Sequence, residues 1–443
     1  MEFVIKHLND DTSRLILDRG KYPGIDIDLA VSCIESRRKL KSKVQEWYEL
    51  EGMIFPLKLS AEQCSSSATG KYKAELAERI SRGFLDSLKS LEMTDEQGAS
   101  GNREWTIADL TGGLGVDSWF FSQKASKVVY CEMQEVLCKA ATHNYQILNA
   151  NNITVNNLMI TSESCGMLTE HAPDIIYMDP ARRGEGGKKV FLIEDCTPDV
   201  LGLKEELFKI SRHLLIKLSP MADITMVCER LGDTCREVHV VATGGECKEL
   251  LIWMDKEWHG EATIHAVELI SKDSIGVFQF TQSDERSVCQ VAPLTPAAWL
   301  RQLKHPLAGG GMSIPPHCQP DLLLFEPGKA LMKAAPYNLI ASRFGISKLG
   351  KSTHYYVVDS AEKAEELKQY GKVFAIKEWL SLDKRNIKEV GKKYPKAEVT
   401  ARNIPMDTDT LRKKLGVTSG DDAHIFGLKS DTEGNLLIVA DRV

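Results

Sequence analysis

The chain has 443 residues, more than one hydrophobic core usually supports, so we expect roughly two to four domains. Hydrophobic residues make up 43% and charged residues 27%, a balance that excludes a disordered or fibrous chain. The formal net charge of -6 is by itself poor support for a nucleic-acid partner. Residues 371–414 nevertheless hold 12 Lys and Arg against 6 Asp and Glu, which indicates either a local basic face or a solvated helix surface.

The composition also bears on location and metal binding. The N-terminus lacks a basic start followed by an apolar core, and no apolar run approaches about 18 residues. We therefore expect a cytoplasmic protein without a membrane partner. The 11 cysteines form no C-x-x-C pair. We expect free buried thiols, for example at Cys131, Cys138 and Cys228, and no metal.

The first half of the chain changes from helical to alternating patterns. Residues 1–95 form a predicted helical region, with helical spacing of apolar residues over 25–47 and 71–91. Strand and helix patterns then alternate, which predicts an α/β fold with a parallel sheet. The predicted strands are 106–110, 127–131, 157–160, 174–178 and 213–218, closed by 237–242 and 249–254.

The pattern changes again after residue 263, where short strands and helices predict small α+β domains. The predicted elements are strands 275–280, 321–325, 355–359, 371–376 and 398–404, helix 408–415, and strands 424–428 and 436–440. The predicted domain boundaries are 1–95, 96–275, 276–345 and 346–443.

The first predicted strand ends in a glycine-rich turn. Residues 109–117 read Asp-Leu-Thr-Gly-Gly-Leu-Gly-Val-Asp, and a helix follows. Glycine lets the backbone approach a ligand closely, and the helix N-terminus offers free N–H groups. Asp109 at the strand end is placed to hold a cationic or hydroxylated group. Ordinary loops and NAD-binding folds also use such turns, so the turn alone is weak evidence.

Glu132 follows the second predicted strand, about 20 residues on, where nucleotide-binding sheets hold ribose hydroxyls. The turn lacks the G-x-G-x-x-G order that suits a pyrophosphate and carries acids instead. Adenosine with a positive centre fits better, which predicts S-adenosylmethionine (SAM) as the cofactor. The predicted cofactor residues are Asp109, Thr111, Gly112, Gly113, Gly115, Asp117, Glu132, Glu163, Ser164 and Asp179.

Asp179 and Pro180 end the fourth predicted strand, where open α/β sheets bind ligands. We predict that both are catalytic and that Asp179 orients the methyl acceptor. Arg182, Arg183 and Lys217 are candidates to position phosphates or the base. A structural ion pair is an equally good interpretation of the arginines.

These motifs resemble those of class I RNA methyltransferases over residues 105–254. Residues 109–117 are similar to the first motif of small-subunit ribosomal RNA guanine-N2 methyltransferases, and residues 179–182 are similar to the Asp-Pro-(Pro/Ala)-Arg of RNA 5-methyluridine methyltransferases. The second family attacks the base with a cysteine after the fifth strand. Here residues 217–221 read Lys-Leu-Ser-Pro-Met, which argues against covalent chemistry. The two resemblances leave the acceptor atom open.

The whole chain most resembles a bacterial methyltransferase family with a C-terminal THUMP-like domain, on residues 62–73 and the tail from Glu398. This resemblance implies a Rossmann-like class I methyltransferase sheet at 96–275. It also implies a ferredoxin-like domain at 276–345 and a THUMP-like domain at 346–443. THUMP domains are associated with RNA binding, so the resemblance implies an RNA substrate.

Three functions therefore compete. The first is a SAM-dependent RNA methyltransferase without a cysteine nucleophile, in which residues 65–73 close over the cofactor. The second is a methyltransferase for a small molecule or a protein, which the acidic net charge favours. The third is a protein that binds SAM or RNA without turnover, which the unusual Ala181 and Arg182 after Pro180 suggest. The sequence leaves the oligomeric state open.

Overall fold

The computed structural model describes residues 1–91, 104–182, 193–271, 274–288 and 322–443. The chain forms two compact units. The first holds Met1–Val238 and Glu249–Ala262, and the second holds His239–Lys248 and Thr263–Val443. Among the described residues, no helix has both the length and the apolar character needed to cross a membrane.

The first unit begins with a helical region, as predicted. Its helices are α1 (Glu2–Lys6), α2 (Thr12–Leu17), α3 (Ile27–Lys43), α4 (Gln45–Tyr48), α5 (Lys58–Gln63) and α6 (Ser67–Leu91). Helix α6 starts where Ser66 and Thr69 exchange hydrogen bonds. The Thr69 N–H donates to Ser66 Oγ at 3.3 Å, and the Ser66 N–H donates to Thr69 Oγ1 at 3.1 Å. Such reciprocal capping satisfies N–H groups that a helix start leaves free.

The remainder of the first unit alternates strands and helices. In chain order they are β1 (Thr106–Asp109), α7 (Val116–Ser122), β2 (Lys127–Glu132), α8 (Glu135–Ile147), β3 (Ile153–Asn157), β4 (Ile175–Met178), β5 (Ala181–Arg182), β6 (Cys196–Thr197), α9 (Val200–Ile210), β7 (His213–Leu218), α10 (Ile224–Leu231), β8 (Cys235–Thr243) and β9 (Glu246–Asp255). Strands β8 and β9 each run from one unit into the other.

The sheet of the first unit has the order β3-β2-β1-β4-β7-β9. Its first five strands are parallel, and β9 runs antiparallel to β7. Strands β1, β2 and β4 are buried along nearly their whole length, as expected for parallel strands between helices. From β1 the chain continues to β2 and β3 on one side of β1, and then crosses to β4 on the other side of β1. This reversal opens a crevice at the carboxyl ends of β1 and β4.

One strand position was predicted wrongly. Residues 157–160, which contain the apolar run 158–160, predicted a strand, whereas β3 spans Ile153–Asn157 at the edge of the sheet. The apolar run Leu158, Met159 and Ile160 leaves the sheet and lines a cavity instead. An edge strand is half exposed, so its own residues are less apolar than the run that follows.

The second unit contains the α+β elements. They are β10 (Thr263–Ser271), β11 (Ser274–Thr281), α11 (Gln282–Ser287), β12 (Leu323–Pro327), α12 (Lys329–Ala334), α13 (Tyr337–Phe344), β13 (Ser347–Lys348), β14 (Tyr356–Val358), α14 (Ala361–Leu367), β15 (Gly371–Ser381), α15 (Lys384–Lys393), β16 (Lys396–Arg402), α16 (Thr408–Leu415), β17 (Thr418–Ser430) and β18 (Gly434–Arg442). Strands β12–β18 form a sheet of order β13-β14-β12-β15-β18-β17-β16, and β10 pairs antiparallel with β11. The mixed α/β fold class predicted from the sequence is confirmed.

The described cysteines are free thiols. Cys131 and Cys138 are buried, as predicted. Cys228 is half-buried rather than buried, because it lies at the edge of the α10 face that Ile224, Val227 and Leu231 bury.

Candidate functional site: a cavity at the strand ends

The glycine turn after β1 is packed against two tyrosines. A Cβ atom on Gly112 would lie 2.1 Å from the Tyr130 ring, and one on Gly115 would lie 2.3 Å from the Tyr145 hydroxyl oxygen. Gly115 also has a φ of +92°, which other residues rarely adopt. Gly112 and Gly115 are therefore required for close packing against the two tyrosines, whereas the sequence predicted glycine there for close approach to a ligand, which stays a prediction.

Asp109 holds this turn together. Its Oδ1 accepts the Thr111 N–H at 3.1 Å, and its Oδ2 accepts the Ser118 hydroxyl at 2.6 Å. The side chain is almost fully buried beneath the cavity. Burial raises its pKa to about 7, and the charges of Asp117 and Asp179 act in the same direction. Because the turn itself uses both carboxylate oxygens, direct contact with a ligand stays a prediction.

Glu132 ends β2 and faces the turn. Its Oε2 accepts the Gly113 N–H at 3.0 Å, and its Oε1 accepts the Gln134 N–H at 2.8 Å. Two backbone donors thus fix the carboxylate at the cavity. Each oxygen keeps a lone pair for a further donor, such as a sugar hydroxyl.

The strand ends enclose a cavity of about 230 Å³. Glycine-turn residues 109–117 form one side, and the end of β2 with the apolar run after β3 forms another. Asp179 and a segment before α6 complete the lining. The residues outside the glycine turn are Ser60, Gln63, Cys64, Ser65, Glu132, Met133, Gln134, Leu137, Leu158, Met159, Ile160, Tyr177, Asp179, Ala181, Thr197 and Pro198.

Glu163 and Ser164, predicted to contact the cofactor, are not among the lining residues. Glu163 is exposed. The Ser164 hydroxyl donates to the Met159 carbonyl at 2.7 Å and accepts the Thr161 N–H at 2.8 Å. Ser164 therefore stabilises the turn at the start of a 3-10 helix, as serine side chains commonly do in loops.

Asp179 follows β4, and two partners hold it in place. Its N–H donates to Thr111 Oγ1 at 2.6 Å, and its Oδ2 accepts Lys217 Nζ at 2.5 Å. The side chain is 38% exposed, whereas Lys217 is only 12% exposed. Burial alone would lower the pKa of Lys217, but Asp179, Glu249 and Asp117 raise it above its usual range. The pair therefore places a charged carboxylate–ammonium contact at the cavity.

The other residues of the reaction motif lie nearby in the chain. Pro180 is buried directly after Asp179. The backbone of Arg182 pairs with Cys196 in the short β5–β6 ladder. Arg183 lies outside the described residues.

A buried ionic cluster lies beside the cavity. Lys73, on α6, is fully buried and donates to both carboxylate oxygens of Glu249, at 2.7 and 3.0 Å. It also donates to Ser65 Oγ at 2.9 Å. Burial raises the pKa of Glu249, although the charges of Lys73 and Lys217 act in the opposite direction. Paired and hydrogen-bonded charges of this kind persist in an interior where single ones do not.

Asp117 joins this cluster to the cavity. Its Oδ2 accepts the hydroxyls of Ser65 and Tyr177, at 2.9 and 2.8 Å. Its Oδ1 lies 3.3 Å from Lys73 Nζ but accepts no hydrogen bond within the described part of the chain. Burial acts to raise the pKa of Asp117, but Lys73, Lys217 and the two hydroxyls outweigh it and lower the pKa. The result is a buried, ionised carboxylate with one oxygen unsatisfied.

Glu249 and Tyr177 were not predicted as site residues. Glu249 lies on the antiparallel strand β9, and Tyr177 lies inside a continuous apolar run. No local pattern marks either residue, because their partners are distant in the chain.

Comparisons with known proteins agree with this architecture. A THUMP domain-like family model matches residues 371–442, and a ferredoxin-like domain model matches residues 323–364. The crystal structure of a proposed methyltransferase from Porphyromonas gingivalis W83 is similar to this protein over the whole of its chain. It is 28% identical with a TM-score of 0.78, and the match covers 100% of this chain and 97% of that one.

Two further structures match about a third of the chain. They are an rRNA methylase from Streptococcus thermophilus and an inferred Streptococcus mutans methyltransferase in complex with SAH. Both are 14% identical over 34% of this chain, and they cover 88% and 89% of those chains. Their TM-scores of 0.27 and 0.26 are too low to support an argument. No curated protein matches this sequence.

The fold and the strand-end cavity define a chain of the class I methyltransferase type. It carries a ferredoxin-like domain and a C-terminal THUMP-like domain, as the sequence resemblance predicted. The exact domain boundaries stay predictions, because the two family models match only residues 323–364 and 371–442.

Proposed function

We propose that the protein is a SAM-dependent methyltransferase that transfers the methyl group directly to an RNA base. The observation that carries the methyltransferase part is the strand-end cavity. Its glycine turn allows close backbone approach, and Glu132 is fixed at the end of β2. Asp117 is ionised, and its buried Oδ1 lies 3.3 Å from Lys73 Nζ but accepts no hydrogen bond among the described residues.

These features fit SAM. Glu132 would accept the ribose hydroxyls, and Asp117 Oδ1 would accept from the cationic amine. The apolar residues 158–160 would pack against adenine. When bound, SAM supplies an electrophilic methyl group on a sulfonium. The carboxylates around the cavity favour such a cation over a pyrophosphate.

Asp179 is proposed to orient the acceptor and to accept its proton where one must leave. Its position is fixed by Thr111 and Lys217, so little reorganisation precedes the transfer. Arg182, Arg183 and Lys217 are proposed to contact the substrate, and Pro180 to set the backbone after Asp179. Cys64 lies at the cavity, but burial raises its pKa to about 11, so its thiol stays protonated and is a poor nucleophile.

The RNA part is supported by the second unit. Its C-terminal portion matches the THUMP domain-like model. On α15, Lys384, Lys388 and Lys392 lie one turn apart and are all exposed. We call these three residues the lysine row. Neighbouring Arg385 and Lys393 are paired with Glu389 and Glu378, whereas the lysine row has no ion-pair partner among the described residues. Unpaired exposed lysines suit a phosphate backbone.

The test compares the wild-type protein with Asp179→Asn. Purified protein is incubated with methyl-labelled SAM and RNA from cells that lack the gene, and nucleoside digests of RNA from cells with and without the gene are compared. We expect label in RNA, one methylated nucleoside missing without the gene, and turnover reduced about 100-fold or more in Asp179→Asn with SAM still bound.

Other outcomes decide between the alternatives. Label only in protein or small molecules would contradict the RNA substrate and support the second function. SAM binding without transfer to any of these would support a binding protein. A wild-type protein that fails to bind SAM would overturn the whole proposal.

A further inference from the structure

A segment of the N-terminal helical region lies on the cavity. It comprises most of α5 and the first residues after that helix, and its residues Ser60, Gln63, Cys64 and Ser65 line the cavity. The strand ends provide carboxylates and backbone groups, whereas this segment adds hydroxyl, amide and thiol side chains. We call residues 60–65 the cavity wall.

The far side of the cavity wall is held by α3. Lys43 Nζ donates to the carbonyls of Ala61 at 3.4 Å and Cys64 at 3.2 Å, and also to that of Glu62. These carbonyls lie at the C-terminal end of α5, where a helix leaves acceptors free and a cation is favoured. The wall is thus attached to the body of the helical region.

The near side is held by the ionic cluster. Ser65 Oγ donates to Asp117 Oδ2 at 2.9 Å and accepts Lys73 Nζ at 2.9 Å. Its hydroxyl therefore bridges the glycine turn and α6. Lys73 is held in turn by Glu249, which lies in β9, the last strand in the sheet order of the first unit. The wall is thus fixed on both sides and is a built part of the cavity.

We propose that the cavity wall is a further part of the cofactor-binding site, and that Ser65 and Lys73 are its positioning residues. This inference rests on the proposed function, because SAM is the ligand that the wall would contact. It assigns the N-terminal helical region to cofactor binding rather than to substrate recognition. Loss of the Ser65 bridge should loosen the wall and orient the Asp117 carboxylate less firmly, because Oδ2 would keep only the Tyr177 hydroxyl.

The test is Ser65→Ala, with Ser67→Ala as the matched control. Ser67 lies on the first turn of α6, and its hydroxyl donates to Glu46 instead. Isothermal titration with SAM and with SAH gives the affinities, and thermal melting reports the fold. For Ser65→Ala we expect both affinities to fall about tenfold, since the bridge is a hydrogen bond to a charged group. The KM for SAM should rise with kcat nearly unchanged, and Ser67→Ala should bind like the wild type.

A second pair of variants guards against a general loss of folding. Lys73→Met should weaken SAM binding more than Ser65→Ala, whereas Lys71→Met on the same helix, where Lys71 pairs with Glu46, should not. Wild-type affinity in a folded Ser65→Ala protein, or equal losses in Ser65→Ala and Ser67→Ala, would overturn the inference while leaving the proposed function intact. A wild-type protein that does not bind SAM would overturn both.

Discussion

The two buried carboxylates of the glycine turn differ in charge because their neighbours differ. Burial raises the pKa of Asp109 to about 7, and no cation contacts it among the described residues. Asp117 is also buried, but Lys73 and Lys217 lower its pKa. The turn therefore keeps Asp117 ionised while Asp109 titrates near neutrality.

Asp109 makes stability depend on pH, with a definite sign. An unfolded aspartate has a pKa of about 3.9, so between about pH 4 and pH 7 the folded state keeps a proton that the unfolded state has lost. Raising the pH through this window therefore lowers the free energy of unfolding. Asp109→Asn removes the titration, so from pH 5 to pH 8 the wild type should lose roughly 2 kcal/mol more than the variant.

Urea unfolding of both proteins at pH 5 and pH 8 measures this difference. The substitution itself has a constant cost, because the amide replaces one acceptor of the Thr111 and Ser118 hydrogen bonds with a donor. That cost is equal at both values of pH. An equal gap between the two proteins at pH 5 and pH 8 would show that Asp109 titrates at its ordinary pKa.

At the scale of elements, α6 carries two glycines with opposite expected effects. A Cβ atom on Gly70 would lie 2.2 Å from the ring of Phe120, which is buried in α7. A Cβ atom on Gly83 would meet nothing within 4 Å. Alanine normally stabilises a helix interior by about 1 kcal/mol relative to glycine. Gly83→Ala should therefore stabilise the protein slightly.

Gly70→Ala should destabilise it by about 1–3 kcal/mol, because a rigid buried ring must move to admit the methyl group. The free energies of unfolding of both variants, from denaturant titration, give the signs directly. A stabilising Gly70→Ala would mean that α6 does not pack closely on α7, and the fixed position of the cavity wall would lose its support.

Local patterns were enough to predict the elements that carry the cavity. The apolar strand, the glycine turn and the helix after it lie within residues 106–122, so the sequence alone indicated their order. Glu132 was found in the same way, because it follows a continuous apolar strand. A local pattern also predicted a helix in the C-terminal region, where α16 spans Thr408–Leu415 as expected.

The features that sequence patterns did not predict depend on contacts between residues that are distant in the chain. The sequence placed Lys73 in the segment 65–73 but not its burial, which depends on the charges of Glu249 and Asp117, both distant in the chain. Asp109 was correctly placed at the strand end, but its two hydrogen bonds to the turn depend on the path of the backbone. The apolar run 158–160 lines a cavity, and hydrophobic periodicity does not distinguish such a run from a short buried strand.

At the scale of the whole molecule, a net charge of -6 opposes a polyanionic partner. The proposed binding to RNA would therefore depend on a local surface that acts within about 8–10 Å at physiological salt. The lysine row has this character, because its three ammonium groups are exposed and unpaired among the described residues. Lys413 and Lys414 are also exposed, on α16, which packs beside α15.

Replacing Lys384, Lys388 and Lys392 together by glutamine should weaken binding to single-stranded RNA roughly tenfold to a hundredfold at about 0.1 M salt. Each lysine that neutralises a phosphate contributes about 0.7 to the slope of log affinity against log salt. The triple variant should therefore lower the magnitude of this slope by about 2. Fluorescence anisotropy over a salt series measures both quantities.

A control variant separates the loss of the lysine row from a loss of positive charge elsewhere in the same unit. Lys363→Gln with Lys368→Gln removes two lysines from the same unit that are paired with Asp359 and Glu365. Paired lysines release few counterions on binding, so this control should keep the wild-type slope. If the triple variant also keeps it, the lysine row does not contact phosphates. SAM binding in the first unit should be unchanged in both variants, because no residue of the lysine row lines the cavity.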